Sequence, residues 1–470
     1  MMRVAIIGAG ISGLSTAFAI ERLAREAGLD LQTVVYEKKE RTGGKIHSIR
    51  EEGYLCEWGP NGFLDNKPMT LELCDRLDIQ GQLARSNDNA RKRFIYSEGQ
   101  LHRLPENGPS FLKSPLISWP GKVRLACETL IPTYRGDDDE TLAHFARRRL
   151  GEEALDKLIA PMVSGIFAGD PETMSLKSCF PRIHQLEQEY GGLIKAMLKL
   201  AKKKKAERKA GKVVASAAGP GGVLTSFVGG IQELTDRLQE AVAGEVRTGV
   251  GVNGVLPKQG GFELHLQDGS IEEAEVVVSA APAYALAGML EESLPEVAKT
   301  LQDIPYASMN VVCFGYAREQ IARDLDGFGY LIPRKEGRHT LGTLWDSSIF
   351  PNRAPEGHVL LRSMMGGATH PGAFDLAETE VRSRVMEDLA TIMGIKAEPQ
   401  FVRIFRHRRA IPQYVAGHAK KLSALDERLG ACPGLFFTGN AYFGVGLNDC
   451  VNASNLAAEK VLAHIRATKA

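Results

Sequence analysis

Residues Gly8-Ala9-Gly10-Ile11-Ser12-Gly13 stand between a valine- and isoleucine-rich run, Arg3 to Ile7, and a helical stretch expected from Leu14 to about Ala27. Strand, tight turn and helix in that order form an anion cradle. Gly8 makes the turn, Gly10 lets the backbone approach a pyrophosphate, and Gly13 lets the helix pack on the strand. With Ile11 and Ser12 they present the free N–H groups of a helix N-terminus to negative charge. A second apolar run, Gln32 to Tyr36, ends in Glu37 with Lys38 beside it. A carboxylate at that point accepts hydrogen bonds from ribose hydroxyls and disfavours a 2′-phosphate. The combined pattern predicts dinucleotide binding rather than a flexible turn.

A second glycine turn, Arg41-Thr42-Gly43-Gly44-Lys45, follows the acid, and Glu57-Trp58-Gly59-Pro60-Asn61-Gly62 follows that. This arrangement resembles the two-dinucleotide-binding-domain flavoproteins of the amine oxidase and phytoene desaturase superfamily. The resemblance implies FAD, with Arg41, Gly43, Gly44 and Lys45 along its pyrophosphate side and Gly59, Pro60, Asn61 and Gly62 as the Gly-Pro segment. A cofactor of that length needs a second chain segment. Leu435 to Asn440 reads as a buried strand ending in a turn at Gly439, and Gly444-Val445-Gly446-Leu447-Asn448-Asp449 leads into a helix expected from about Asn452 to Ile465. The start of that helix would aim N–H groups at flavin O2 and N1. Between the two ends, Glu245 to Val255 and Phe262 to Leu266 alternate like hairpin strands, with Gln267-Asp268-Gly269 as a turn signal, and Val276 to Pro282 reads as an apolar strand. The resemblance places the backbone of Val250 against adenine. No cysteine beside a Gly-Gly pair is available near the C-terminus for covalent attachment, so one non-covalent FAD per chain is expected.

Further motifs narrow the family: Ala160-Pro161-Met162-Val163-Ser164-Gly165-Ile166-Phe167-Ala168-Gly169-Asp170-Pro171, Met174-Ser175-Leu176, Ile411-Pro412-Gln413-Tyr414 and Gly417-His418. Together with Gly-Asn ahead of Gly-Val-Gly-Leu-Asn-Asp-Cys, they resemble the oxygen-dependent protoporphyrinogen/coproporphyrinogen oxidases of haem biosynthesis over nearly the whole chain. That resemblance implies a porphyrinogen lying against the flavin. Arg93 would pair with a propionate, Leu331, Leu344 and Met364 would clamp the macrocycle, and Gly165 and Ala168 would let its flat side approach. One charged anchor with apolar faces is the chemistry such a ligand needs. Taken alone, without the resemblance, Arg93 reads as an ordinary solvated member of Arg91-Lys92-Arg93, and the apolar residues as plain core.

The implied reaction removes six electrons and six protons in three rounds, each returning two electrons to dioxygen as hydrogen peroxide. No side chain identifies itself as a catalytic base. Protoporphyrinogen IX is the favoured substrate. Coproporphyrinogen III, with four propionates against two, is the alternative, since Arg91, Lys92 and the cluster Arg406-His407-Arg408-Arg409 could serve extra carboxylates. More remote readings are an amine oxidase or carotenoid desaturase, for which an aromatic pair near Tyr442 and Phe443 only half fits, and a flavin-binding scaffold without turnover. Hand-off to a ferrochelatase is compatible with the chemistry.

The elements that must position these residues need several domains. A chain of 470 residues, 44% hydrophobic, exceeds one ordinary core. The expected class is α/β: a discontinuous, doubly wound Rossmann-like FAD domain from residues 1–85, 230–300 and 430–470, an α+β substrate domain from 195–230 and 301–429, and a helical membrane-facing lobe from 86–194. The 58 basic residues nearly cancel the 57 acidic ones, for a net charge of +1, so nothing attracts the chain globally to nucleic acid. Seven scattered cysteines without a C-x-x-C pair suggest reduced thiols and a cytoplasmic setting. The histidines show no metal-ligand spacing. A signal peptide is not expected, and the apolar stretch Val276 to Leu290 is broken by Pro282 and too short to span a membrane. Peripheral contact remains open through Phe111 to Trp119 and the basic run Lys202 to Lys205 with Arg208, Lys209 and Lys212, ahead of the loop Ala217 to Gly222. Asp137-Asp138-Asp139-Glu140 reads as a helix cap, with Arg147 to Arg149 complementing the other end of the same dipole. Monomer and homodimer are both open.

Overall fold

The computed structural model describes residues 2–136, 138–209 and 222–469. Its first sheet has five parallel strands in the order Glu245–Arg247, Leu31–Tyr36, Met2–Ile7, Val276–Ser279, Leu435–Phe437. Three separated stretches of chain thus meet in one sheet. Val4, Ala5 and Ile6 are fully buried because the strand is covered on both faces, which explains its unbroken apolar sequence. On one face the helix Ile11–Glu26 packs against the C-terminal helix Leu447–Lys469 through Leu14, Ala17 and Ile20 against Val451, Ala458 and Val461. On the other lie the helix Ala283–Leu290 and a three-stranded antiparallel sheet.

Three local expectations change. Glu245 to Val255 is not one hairpin strand: Glu245–Arg247 joins the parallel sheet, whereas Val252–Lys258 pairs antiparallel with Gly261–Leu266. The chain turns between them at Gly249, whose φ is +71°, and its N–H and that of Val250 donate to the Lys39 and Glu37 carbonyls, each at 2.9 Å. The first helix begins at Ile11, three residues earlier than expected, and the last at Leu447, five earlier, so both glycine loops run directly into helix N-termini.

The second sheet has seven strands in the order Phe401–Pro412, Tyr306–Ala317, His358–Gly366, Gly342–Leu344, Gly329–Leu331, Arg93–Ser97, Gln100–Arg103. All its pairings are antiparallel except Gly329–Leu331 with Arg93–Ser97. One face is covered by the helix Glu378–Met393, where Val381, Val385 and Leu389 meet Val312, Phe314, Tyr330 and Leu361. The strands at 93–103 therefore belong to this sheet and not to the helical lobe expected for 86–194. The helix Leu193–Lys209 packs on Pro181–Tyr190 and continues that lobe, beyond the boundary expected at 195.

The lobe is fastened by Arg149, fully buried between Glu128 at 2.8 Å and Glu187 at 2.7 Å. The acidic run is not the expected cap. Thr141 caps the helix Leu142–Arg149, Asp139 accepts from Ser175 and Gly417, and Glu140 pairs with Arg148, so Arg148 and Arg149 answer carboxylates rather than a dipole. Asp137, Lys212 and residues 217–221 lie outside the described residues. Among those described, no helix is long and apolar enough to cross a membrane.

Candidate functional site

The cofactor cradle forms at the carboxyl ends of the parallel strands, where open α/β sheets bind ligands. Gly8 has φ +100°, and a Cβ on Gly13 would overlap the Gly8 carbonyl oxygen, so helix and strand touch because both residues are glycine. Gly10 caps the helix without a side-chain bond, and no acidic residue occupies the first turn. The N–H groups there are left open to an anion. Gly43 donates to the Ala9 carbonyl at 2.8 Å and pairs in register with Gly10, joining the two glycine turns. Glu37 is buried and accepts from the Ala9 N–H at 2.9 Å, while Lys38 is exposed beside it. Val250 lies against Glu37 through the backbone bond already described.

Arg41 commits its guanidinium to the Thr42 and Gly44 carbonyls and stacks over Trp58 at 4.6 Å, so it holds the second turn in shape. Lys45 donates to the Arg409 carbonyl at 2.8 Å and to that of Ala410; burial, then Lys39, lowers its pKa to about 8. A Cβ on Gly59 would crowd the Lys45 carbonyl, and one on Gly62 would overlap that of Thr225. Pro60 stands between Gly59 and Asn61, whose amide nitrogen donates to Asp346 at 3.3 Å. Gly439 (φ +119°) and Gly444 (φ +122°) bound the C-terminal loop, with Val445, Gly446 and Leu447 completing it at the helix start. A test of cofactor fit comes from orphaned polar atoms. Asn61 Oδ1, Ser279 Oγ, Thr438 Oγ1 and the Tyr442 hydroxyl are buried without protein partners, the last three in or beside strand ends and loop of this cradle. Buried polar groups are normally satisfied, so the arrangement fits a polar dinucleotide.

Sequence reading missed a buried clamp joining this cradle to the second sheet. Glu57 pairs with Arg353 at 3.2 Å and Asp346 with Arg362 at 2.9 Å, and Arg362 also donates to the Gly59 carbonyl at 3.0 Å. Burial pushes both carboxyls above their ordinary range against the downward pull of the arginines. The available signal was Arg362 itself, a lone charge in the apolar run Val359 to Met365.

Register assembles the expected substrate residues. Ile95, Leu331, Gly342, Met364 and Val311 align across the sheet, and Arg93, Gly329, Leu344 and Arg362 align two residues away. Side chains two apart share a face, so Arg93, Leu331, Leu344 and Met364 all stand on the side opposite the helix Glu378–Met393. Against Leu331 packs the helix Ala160–Phe167: a Cβ on Gly165 would meet its methyls at 3.0 and 3.1 Å. Ala168 ends that helix in a left-handed conformation, φ +49°, and is 2% exposed, so its methyl packs inward while its carbonyl accepts from Ala368 at 2.7 Å. Leu331, Leu344 and Met364 are half-buried.

Arg93 reaches solvent, yet the surrounding protein desolvates it enough to lower its pKa, and its guanidinium lies 5.3 Å from the Phe328 ring centre. Among the described residues it has no carboxylate partner. Lys92 pairs with Asp326 at 2.6 Å, Arg91 with Asp88 at 3.6 Å, and Arg406 donates to the Leu376 carbonyl at 2.9 Å. His407, bonded to the Trp58 carbonyl at 3.0 Å, is held near pKa 4 by burial. A cavity of about 310 Å³ between Trp58 and Phe405 adjoins this region; a larger one of about 720 Å³, lined by Asn89, Arg318 and Asp324, contains none of the expected site residues.

A glycine cradle at the carboxyl ends of parallel strands, joined to a second, largely antiparallel sheet, is the architecture of a dinucleotide-binding oxidoreductase. The sequence profile of the flavin containing amine oxidoreductase family matches residues 11–462. The chain is 31% identical to the coproporphyrinogen III oxidase of Bacillus subtilis (strain 168), over 98% of both chains. It is 31% identical to the chloroplastic protoporphyrinogen oxidase 1 of Spinacia oleracea, over 97% of this chain and 83% of that one. The crystal structure of a candidate protoporphyrinogen oxidase from Exiguobacterium sp. 255-15 superposes with a TM-score of 0.82 at 26% identity, covering 99% of each chain. The chain belongs to the flavin containing amine oxidoreductase family, and its cofactor is FAD.

Proposed function

We propose that this chain is an oxygen-dependent porphyrinogen oxidase that converts protoporphyrinogen IX to protoporphyrin IX, with three dioxygen molecules taking six electrons and six protons to give three hydrogen peroxide molecules. The observation that carries the reading is the register that sets Arg93, a cation with no carboxylate partner among the described residues, and three half-buried apolar side chains, Leu331, Leu344 and Met364, on one sheet face opposite Gly165. The names of the full-length relatives support the same substrate class.

When bound, FAD accepts two electrons at a time from carbon and passes them to oxygen. The protein's part is to bind and orient. Gly8, Gly10, Ile11, Ser12, Gly13, Gly43 and Gly44 would hold the pyrophosphate through backbone N–H groups, Glu37 the ribose, Val250 the adenine, and Gly59 to Gly62 and Gly439 to Leu447 the ring system. Arg93 would fix one propionate, and the apolar residues would exclude water and present a ring carbon at roughly 3–3.5 Å from its acceptor. No side chain is assigned as a base.

A specific observation favours a second reading: the Bacillus relative that covers 98% of both chains is named for coproporphyrinogen III. Lys92 is held by Asp326 and Arg406 by the Leu376 carbonyl, whereas Arg409 is exposed over the Tyr284 ring with no carboxylate partner among the described residues, so a cation for a further carboxylate is at hand. An amine oxidase site is disfavoured because Tyr442 is buried and Phe443 exposed, their rings tilted by 49°. A cytoplasmic enzyme touching the inner face of a membrane is supported by exposed Leu112, Trp119, Val123, Leu130, Met197 and Leu198 on the helical lobe, with exposed Lys202, Lys203 and Lys205 on the same helix as the last two. Hand-off of the porphyrin to a ferrochelatase would suit such a product.

The deciding experiment measures kcat/KM for both porphyrinogens in air by porphyrin fluorescence. Protoporphyrinogen IX should be the preferred substrate. Preference for coproporphyrinogen III selects the second reading, and no product from either rejects both.

A further inference from the structure

The Ile411-Pro412-Gln413-Tyr414 motif has no part in the reading above, yet its side chains reach both halves of the site. The loop 439–446 is bounded by two left-handed glycines, so its own backbone does little to fix it. Apart from the Gly446 carbonyl, which accepts from Cys450 in the helix that follows, the hydrogen bonds that the loop 439–446 makes through residues 440–446 to other parts of the chain run, among the described residues, to one group, the Tyr414 hydroxyl. It donates to the Asn440 carbonyl at 2.6 Å and accepts from the Gly444 N–H at 2.8 Å. The ring is packed on both sides: it stacks on His418 with centroids 4.3 Å apart and planes at 12°, and lies 6.4 Å from Phe167. The Tyr414 carbonyl accepts from Ser175 at 2.8 Å. Next to it, the Gln413 amide donates to the Phe167 carbonyl at 2.8 Å, on the residue before Ala168.

We propose that Gln413 and Tyr414 form the positioning unit of this site: Tyr414 sets the 439–446 loop, and with it the N-terminus of the helix Leu447–Lys469, while Gln413 ties that setting to the wall bearing Gly165 and Ala168. This rests on the reading that places the helix N-terminus at the flavin ring. The hydroxyl matters in both directions, because its loss takes the partner from a half-buried N–H and a half-buried carbonyl at once. Freed of the brace, the loop would no longer hold its N–H groups where reduced flavin needs them.

The test is Tyr414→Phe in the FAD-loaded protein, which keeps the ring and its stack on His418. FAD affinity should fall about 10-fold, in line with the loss of one buried hydrogen-bonding group. The flavin absorption bands should shift, the flavin potential should become more negative, and kcat should fall with KM nearly unchanged. A variant that melts earlier but keeps the wild-type flavin spectrum and potential would overturn the proposal, because that is what a merely structural tyrosine does. If the variant does not fold, 3-fluorotyrosine at position 414 keeps the hydroxyl, and its fluorine resonance should move on FAD addition; an unmoved resonance overturns the proposal. Spectrum, potential and resonance do not depend on porphyrinogen, so failure of the substrate reading is distinguishable from failure of this one.

Discussion

Replacing Arg93 by alanine tests how the site would hold an anionic macrocycle. The guanidinium has no carboxylate partner among the described residues, and it sits on the same sheet face as Leu331, Leu344 and Met364. A charge-assisted bond contributes about 1.5–3 kcal/mol net. Because Arg93 reaches solvent, water screens part of this, and the lower half of the range, about 1.5–2 kcal/mol, applies. That corresponds to a roughly 10- to 30-fold rise in KM. The arginine is meant to touch a propionate and not a reacting carbon, so kcat should change by less than about 2-fold. Arg93→Lys should recover part of the loss, since it restores charge without the fork. The assay is steady-state porphyrin fluorescence at two salt concentrations, with the wild-type KM rising with salt and the variant's nearly flat. An unchanged KM, or an equal fall in kcat and kcat/KM, would refute the anchoring argument.

Gly13→Ala should yield protein with little bound flavin, read from the ratio of visible to ultraviolet absorbance, because the added methyl overlaps the Gly8 carbonyl oxygen; normal flavin content would contradict the cradle. Arg362→Met leaves Asp346 buried without its partner and should cost about 3–5 kcal/mol in urea unfolding, with much of it recovered when Asp346→Leu is added. His418 is 2% exposed and burial lowers its pKa to about 4. Below its unfolded value near 6.5 the unfolded chain binds a proton that the folded chain refuses, so stability is lost as pH falls from 6.5 towards 4, by on the order of 2–3 kcal/mol. His407, lowered to the same value by burial, adds its own share, so His418→Phe, which keeps the stack on Tyr414, should make that acid limb of the unfolding profile shallower without removing it. Sedimentation with vesicles should show binding to anionic but not neutral lipid, weakened by salt, at about 1 kcal/mol per engaged lysine; equal binding to neutral vesicles would remove the lysines from the interaction.

Most of the cofactor cradle was legible because glycine at a forced approach has no substitute. Gly8, Gly13, Gly43 and Gly59 mark places where a side chain would strike backbone, and that constraint is written locally in the chain. The apolar strand Met2–Ile7 was equally plain, since burial on both faces removes any polar alternation. The split at Gly249 was not legible, because the residues on either side alternate as one strand would, and only the distant strand Leu31–Tyr36 shows which part it captures. The placing of strands 93–103 failed for the same reason: sheet membership depends on the partner Gly329–Leu331, over two hundred residues away. In the clamp, Asp346, Arg353 and Arg362 lie within residues 346–362, but Glu57 comes from far along the chain and no spacing connects it to them. Lys92 and Arg93 are adjacent and alike in sequence; their neighbours differ, with Asp326 beside one and the Phe328 ring beside the other, which has no carboxylate partner among the described residues.

The central claim is that this flavoprotein takes electrons from a porphyrinogen. It is tested most directly by mixing the FAD-loaded protein anaerobically with protoporphyrinogen IX, following the flavin absorbance, and then admitting air. The yellow colour should bleach before oxygen enters, and porphyrin fluorescence and hydrogen peroxide should then rise in a ratio of one porphyrin to three peroxides. A flavin that stays oxidised with protoporphyrinogen IX and with coproporphyrinogen III alike would contradict it.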